Sequence, residues 1–265
     1  MMLKTFEYQY IKLKLLRASL IPLILFLFLT PCSALTNKEI QKFQSQLRGK
    51  SVGEKIAFWA EKFIGVPYDT NPLGEYVSKA TIVTDERVDC MYLTFRAVEL
   101  ALSRTPEEAI QIALEKRFHS KGILKNGKVV NYDDRFEYGE DMIESGRWGK
   151  EVTSEVGKMT KIEGSRGKDF IEVLPSDGFL KGMKHLKTGD IVFFVKKSEE
   201  RKREEMVGHI GIIKVEKEPT IKEEREIYLV HASGVKEKGG GVKKVLLKDY
   251  VNQMPFIGVK VTRFR

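Results

Sequence analysis

The apolar residues of this chain change period once, and that change limits the folds open to it. Between residues 38 and 63 they recur at helical spacing, as Ile40, Phe43 and Leu47 and then Ile56, Trp59, Ala60 and Phe63, until Gly65-Val66-Pro67 ends the pattern. Residues 89–102 read as a further helix, with Cys90, Leu93, Thr94, Ala97 and Ala101 along one stripe and Asp89 as its N-cap. The C-terminal third holds short β-branched runs instead, at 190–195, 207–215, 227–232, 242–246 and 257–262, separated by glycine or charged turns. Helices first and strands afterwards predict an α+β fold, with N-terminal helices packed on a C-terminal antiparallel sheet rather than an alternating parallel one. Residues 116–186, rich in Gly, Lys, Glu and Asp, show no clear period and are expected to form a long irregular segment of the kind that lines binding sites.

With 42% hydrophobic and 31% charged residues, the 265-residue chain has the composition of a folded globular protein. Its 2 cysteines exclude a disulfide framework and a four-thiolate zinc site. No apolar run reaches the roughly 20 residues of a stable membrane span. The net charge of +9 favours an anionic partner, either nucleic acid or an anionic cell wall or lipid surface. Residues 1–17 carry Lys4, Lys12, Lys14 and Arg17 against Glu7, residues 18–29 are almost wholly apolar, and Cys32 and Ala34 put small side chains at −3 and −1 of a cut after Ala34. That is the pattern of a secretory signal peptide over 1–34, which leaves one domain, 35–265, exported to the periplasm or cell envelope. A buried core helix or a membrane anchor is the alternative for the same segment. Leu29-Thr30-Pro31-Cys32 also resembles a lipoprotein attachment box, with Pro31 where the box wants a small residue, so a lipid anchor at Cys32 is a further alternative.

Cys90 is the other cysteine, and it follows the proposed cap directly. A helix start favours a thiolate through its unpaired N–H groups and dipole, and the same groups can hold the oxyanion of a tetrahedral intermediate, so the placement predicts a reactive thiol. A small buried core cysteine is the structural alternative. His209, in Gly208-His209-Ile210-Gly211, and His231, in Val230-His231-Ala232-Ser233, lie on two runs that read as a hairpin. Centring the hairpin near Thr220 sets the two imidazoles opposite each other. One histidine as base and a second as its orienter is the logic of thiol acyl transfer. One thiolate with two imidazoles could also make a three-ligand zinc site, although no motif spacing points to one. His119 and His185 sit in Lys-rich segments and are expected at the surface.

Gly65-Val66-Pro67-Tyr68, Val88-Asp89-Cys90, Gly189-Asp190-Ile191-Val192, Gly208-His209-Ile210-Gly211 and Val230-His231-Ala232-Ser233 stand in an order that resembles the NlpC/P60 cysteine peptidases. Residues 88–100 and 134–142 are more similar to the DUF1460 branch, the N-acetylmuramoyl-L-alanine amidase-like proteins. The resemblance covers about residues 55–262. It implies a papain-like fold and hydrolysis of an amide bond in peptidoglycan stem peptides, with Cys90 as nucleophile, His209 as base and His231 as third member. It further implies that Tyr68 sits near the oxyanion or substrate backbone and that Asp89, Arg135 and Tyr138 lie in or beside the substrate groove. No cofactor or metal is called for, and peptidoglycan, not nucleic acid, is the implied partner. The chain departs from many relatives in having Met91-Tyr92 where they carry Ser-Gly after the cysteine, and Glu137 where the DUF1460 element usually has His. The apolar pair disfavours a free amine as the recognised group, and Arg135 could clamp a stem-peptide carboxylate, which favours the bond between the muramic acid lactyl group and L-alanine. An acyltransferase on the same fold and a catalytically silent wall-binding module are the rival functions.

Overall fold

The computed structural model describes residues 34–201, 205–217, 225–235 and 239–265. Residues 1–33, which hold Cys32 and all but the last residue of the expected signal peptide, lie outside these residues. The elements run in the order α1 (Asn37–Gln46), α2 (Val52–Lys62), α3 (Glu75–Ser78), α4 (Cys90–Leu102), α5 (Pro106–Lys116), β1 (Leu124–Lys125), β2 (Lys128–Val129), α6 (Gly139–Glu144), β3 (Lys150–Glu151), α7 (Thr153–Val156), β4 (Thr160–Glu163), β5 (Phe170–Pro175), α8 (Ser176–Gly182), β6 (Ile191–Val195), β7 (Val207–Lys217), β8 (Arg225–Val235), β9 (Gly239–Leu246), α9 (Leu247–Gln253) and β10 (Gly258–Arg263). The helical half does come first, and the expected strand runs all form strands. The periodic stretch 38–63 is two helices, because Ser51 caps a new one: its hydroxyl accepts from the Glu54 amide while Glu54 reaches back to the Ser51 amide.

The main sheet has strand order β4-β5-β10-β6-β7-β8-β9, with β3 added against β10, and every pairing is antiparallel. The middle segment is therefore less irregular than expected, since β3, β4 and β5 extend one side of the sheet. Its strands are only two to six residues long, too short to announce a period of 2.

Alternation along the central strands separates two cores. Ile191, Phe193, Ile210, Ile212, Val230 and Ala232 pack with Ile56, Trp59 and Ala60 of α2 and Leu93 and Ala97 of α4. Val192, Phe194, Ile213 and Leu229 face the other way, toward Phe179, Leu186 and Leu247. With both faces covered, all five residues of β6 are buried, and each such apolar side chain contributes on the order of 1.5–3 kcal/mol. The site lies where α4 meets β7 and β8.

Candidate active site

The register of β7 and β8 decides where the two histidines sit. Ile212 faces Val230 and Ile213 faces Leu229, and extending that register puts Gly211, not His209, opposite His231. The direct opposition expected from a hairpin centred near Thr220 is thus corrected by two residues. Residues 218–224, which join the strands, lie outside the described residues. Because the offset is even, both side chains keep the same face and become diagonal neighbours. Nε2 of His209 and Nδ1 of His231 are 2.8 Å apart, with the rings nearly perpendicular at 89°. Gly211 makes room for this: a Cβ there would stand 2.5 Å from Leu229 Cδ1 and 3.3 Å from His231 Cβ.

Beyond Ile212 and Val230 the described β7–β8 pairing ends, and the start of α4 packs at this place. Asp89, in extended conformation, caps the helix through a 2.6 Å bond from the Tyr92 amide to its Oδ1. Cys90 is the first helical residue and is half-buried. The backbone amides of Ile210, Cys90 and Met91 face its sulfur and favour the anion. They do not prevail: burial, followed by the charge of Asp89, pushes the thiol up to about 12. The position at a helix start thus does not by itself lower this thiol, because burial and Asp89 act against the amides. The imidazoles are shifted the other way, His209 down to about 3 by burial and the neighbouring His231, and His231 down to about 4 by burial and the charge of Lys243. All three groups are neutral near pH 7.

Tyr68 is carried to the thiol by the Gly65-Val66-Pro67-Tyr68 segment, which lies against β9. The Tyr68 amide donates to Gly240 O at 3.0 Å and the Val88 amide to Pro67 O at 3.0 Å, so one short stretch of backbone places both Tyr68 and the residues before Cys90. The Tyr68 ring packs on Gly234, where a Cβ would stand 2.4 Å from it. Burial, then the charges of Cys90, Asp89 and Asp69, raise its phenol. Tyr68, Asp69, Thr70, Asn71, Asp89 and Gly234 line a cleft of about 410 Å³ that reaches the residue before the thiol. Both carboxylates in it are engaged by backbone: Asp69 accepts from the Asn71 and Glu75 amides at 2.9 and 2.6 Å, and Asp89 from Tyr92. Burial raises the Asp89 carboxyl in spite of that bond.

The other two predicted groove residues have charged or aromatic partners of their own. Arg135 divides its guanidinium between Glu137, at 2.7 Å, and Tyr132 O, at 3.0 Å, both within its own segment. Tyr138 lies under the Arg166 guanidinium, 4.6 Å from its ring centroid, and that arginine is bonded to Asp141 at 2.6 Å. His119 and His185 are exposed, as expected. Among the described residues no three His, Cys, Asp or Glu side chains converge as metal ligands. Sequence reasoning missed Glu140, a buried carboxylate that receives the Met206 and Val207 amides at 2.9 and 3.2 Å and so ties α6 to the start of β7. It also missed Tyr250, whose ring lies against both imidazoles.

A half-buried thiol at a helix start, set against paired histidines on an antiparallel sheet, sits here in an α+β fold shared with amidase-like proteins of known structure. The chain superposes on an N-acetylmuramoyl-L-alanine amidase from Bacteroides uniformis ATCC 8492 with a TM-score of 0.59 and 20% identity, covering 80% of this chain and 98% of that one. Protein LPG0564 from Legionella pneumophila str. Philadelphia 1, of the DUF1460 family model, gives 0.60 at 16% identity over 85% of this chain and 93% of its own. A candidate xylanase from Bacteroides fragilis gives 0.56 at 20% identity, over 78% and 100%. No family model and no curated protein matches the sequence.

Proposed function

We propose that this chain is an exported cysteine hydrolase that cleaves an amide bond in peptidoglycan stem peptides, and that the bond is the one between the muramic acid lactyl group and L-alanine. The observation that carries the reading is the His209–His231 pair, 2.8 Å apart, with His209 on a strand whose next residue, Ile210, turns its amide to the Cys90 sulfur at the start of α4. With Nε2 of His209 donating to Nδ1 of His231, Nδ1 of His209 is the nitrogen left to take the thiol proton. As Sγ attacks the carbonyl carbon, that proton passes to Nδ1, and His231 stabilises the imidazolium through the shared bond. The amides at the helix start are placed to bind the oxyanion. His209 then protonates the departing amine and, in the second half, takes a proton from the water that cleaves the thioester.

The choice of bond is supported by Met91, which follows the thiol directly and offers no charge to a substrate ammonium. Mass spectrometry of muropeptides incubated with wild type and with Cys90→Ala tests the proposal. Release of intact stem peptide from glycan-linked muropeptides by the wild type alone is the expected result. Cleavage only of amine-terminated peptides would overturn the bond assignment, and undiminished cleavage by Cys90→Ala would overturn the mechanism.

A further inference from the structure

A 2.8 Å bond between two perpendicular imidazoles needs both rings held in plane, and the strands beneath them cannot do this. A strand fixes Cα and Cβ, whereas the terminal torsion of histidine is broad. The strand position next to the pair is Gly211, which has no side chain to brace either ring. The restraint comes from above the sheet. Helix α9 packs on β8 and β9, and its Tyr250 ring lies 4.8 Å from the His231 ring at 66° and 5.8 Å from the His209 ring at 36°. Phe194 backs Tyr250 at 5.2 Å, and Phe256 stacks on His209 at 6.5 Å and 13°. Among the described residues Tyr250 is the aromatic group that contacts both imidazoles.

We propose that Tyr250 is a positioning residue for the imidazole pair: its ring, pressed on both histidines from α9, keeps Nε2 of His209 on Nδ1 of His231 and Nδ1 of His209 toward the thiol. The inference rests on the cysteine hydrolase reading above. The ring is the working part, since the ring makes the contacts to both imidazoles. By covering the pair the ring also keeps water from competing for the bond between the two nitrogens. The other groups facing the pair are Cys90 from α4, whose charge Tyr250 also feels, and Lys243 of β9, opposite His231. Neither Cys90 nor Lys243 bridges the two rings.

The test is nuclear magnetic resonance of the imidazole nitrogens in Cys90→Ala protein with Tyr250 kept, or changed to Phe or to Leu. It needs no substrate, so it reads the role of Tyr250 even if the hydrolase reading fails. Tyr250→Phe should keep the hydrogen-bonded imidazole N–H signal and the low titration midpoints. Tyr250→Leu should lose the signal to exchange with water and move at least one midpoint upward by about one pH unit or more, toward the ordinary imidazole value of roughly 6.5. If Tyr250→Leu does not fold, Tyr250→Met fills the same space with a flexible chain and takes its place. In the protein with its thiol intact, the Leu variant should lose about tenfold or more in kcat with little change in KM, and Phe should restore it. Identical signals and midpoints in all three side chains would overturn the proposal, and so would a Phe variant as impaired as Leu.

Discussion

The protonation states of Cys90 and His209 bear on what Cys90 should do in solution. Burial and Asp89 push the thiol up to about 12, and burial pushes His209 down to about 3, so in the proposed mechanism both groups start neutral and the proton would move as the sulfur attacks. Alkylation of Cys90 by iodoacetamide should therefore keep accelerating as pH rises through 9, with no plateau near neutrality. A rate already level by pH 7 would show a preformed ion pair. In the same mechanism His209→Ala should lower kcat/KM by about 10³ or more. His231→Asn, which can still accept from Nε2 of His209, should keep a measurable fraction of activity. Steady-state assays on released stem peptide, with folding checked by circular dichroism, separate the two. Arg135 gives a sharper residue-scale test because Glu137 occupies half of its fork. If that fork clamps a substrate carboxylate, Arg135→Lys should raise KM about tenfold although the charge is kept, and Glu137→Gln, which frees the guanidinium, should leave KM equal or lower. A raised KM in Glu137→Gln would mean that the pair serves only to hold the segment.

Helix α4 shows at the level of one element what the sequence carried and what it hid. Its start was legible: Asp89 before an apolar stripe is a cap signal, and the helix does begin at Cys90. Its underside was not. Arg96 pairs with Asp85 through bonds of 2.9 and 3.0 Å, and Arg117 with Glu99 through bonds of 2.6 and 2.7 Å, all four residues being buried. The Arg117 guanidinium is sandwiched among Tyr76, Tyr92 and Phe95. In the sequence Arg117 sits in Lys-Arg-Phe-His with nothing to mark it, because no local pattern tells a buried arginine from an exposed one when its partner is 18 residues away. The strands were legible for the opposite reason: β6 to β10 are rich in β-branched residues and bounded by Gly or charge, and the pairing register of β7 with β8 is what differs from expectation. Tyr250 and Glu140 were invisible, since each acts through a contact between elements far apart in the chain. Removing one partner of the buried pair, as in Arg117→Met, should cost about 3–5 kcal/mol by urea denaturation. Loss of the cap in Asp89→Ala should cost about 0.5–2 kcal/mol. A smaller loss for Arg117→Met than for Asp89→Ala would show that the arginine is not the main anchor of the helix.

At the scale of the whole molecule, the same three groups tie stability to pH in a direction that can be worked out. His209 and His231 titrate near 6.5 when unfolded but near 3 and 4 when folded. As pH falls below 6.5 the unfolded chain binds protons that the folded one refuses, so stability falls with falling pH, by at most about 1.4 kcal/mol per pH unit for each imidazole. Below the folded values both states are protonated and this loss stops growing. Cys90 acts on the alkaline side: it ionises near 9 when unfolded and near 12 when folded, so the unfolded chain sheds a proton first and stability falls as pH rises above 9. The maximum should therefore lie between about 6.5 and 9. Urea titrations at intervals from pH 4 to 10 on wild type, Cys90→Ala and His209→Asn measure this. The wild-type curve should fall on both sides. Cys90→Ala should flatten the alkaline limb and leave the acid limb in place, whereas His209→Asn should flatten the acid limb. An acid limb of the same slope in His209→Asn would mean that other groups set acid stability, and the neutral buried imidazole would lose its support.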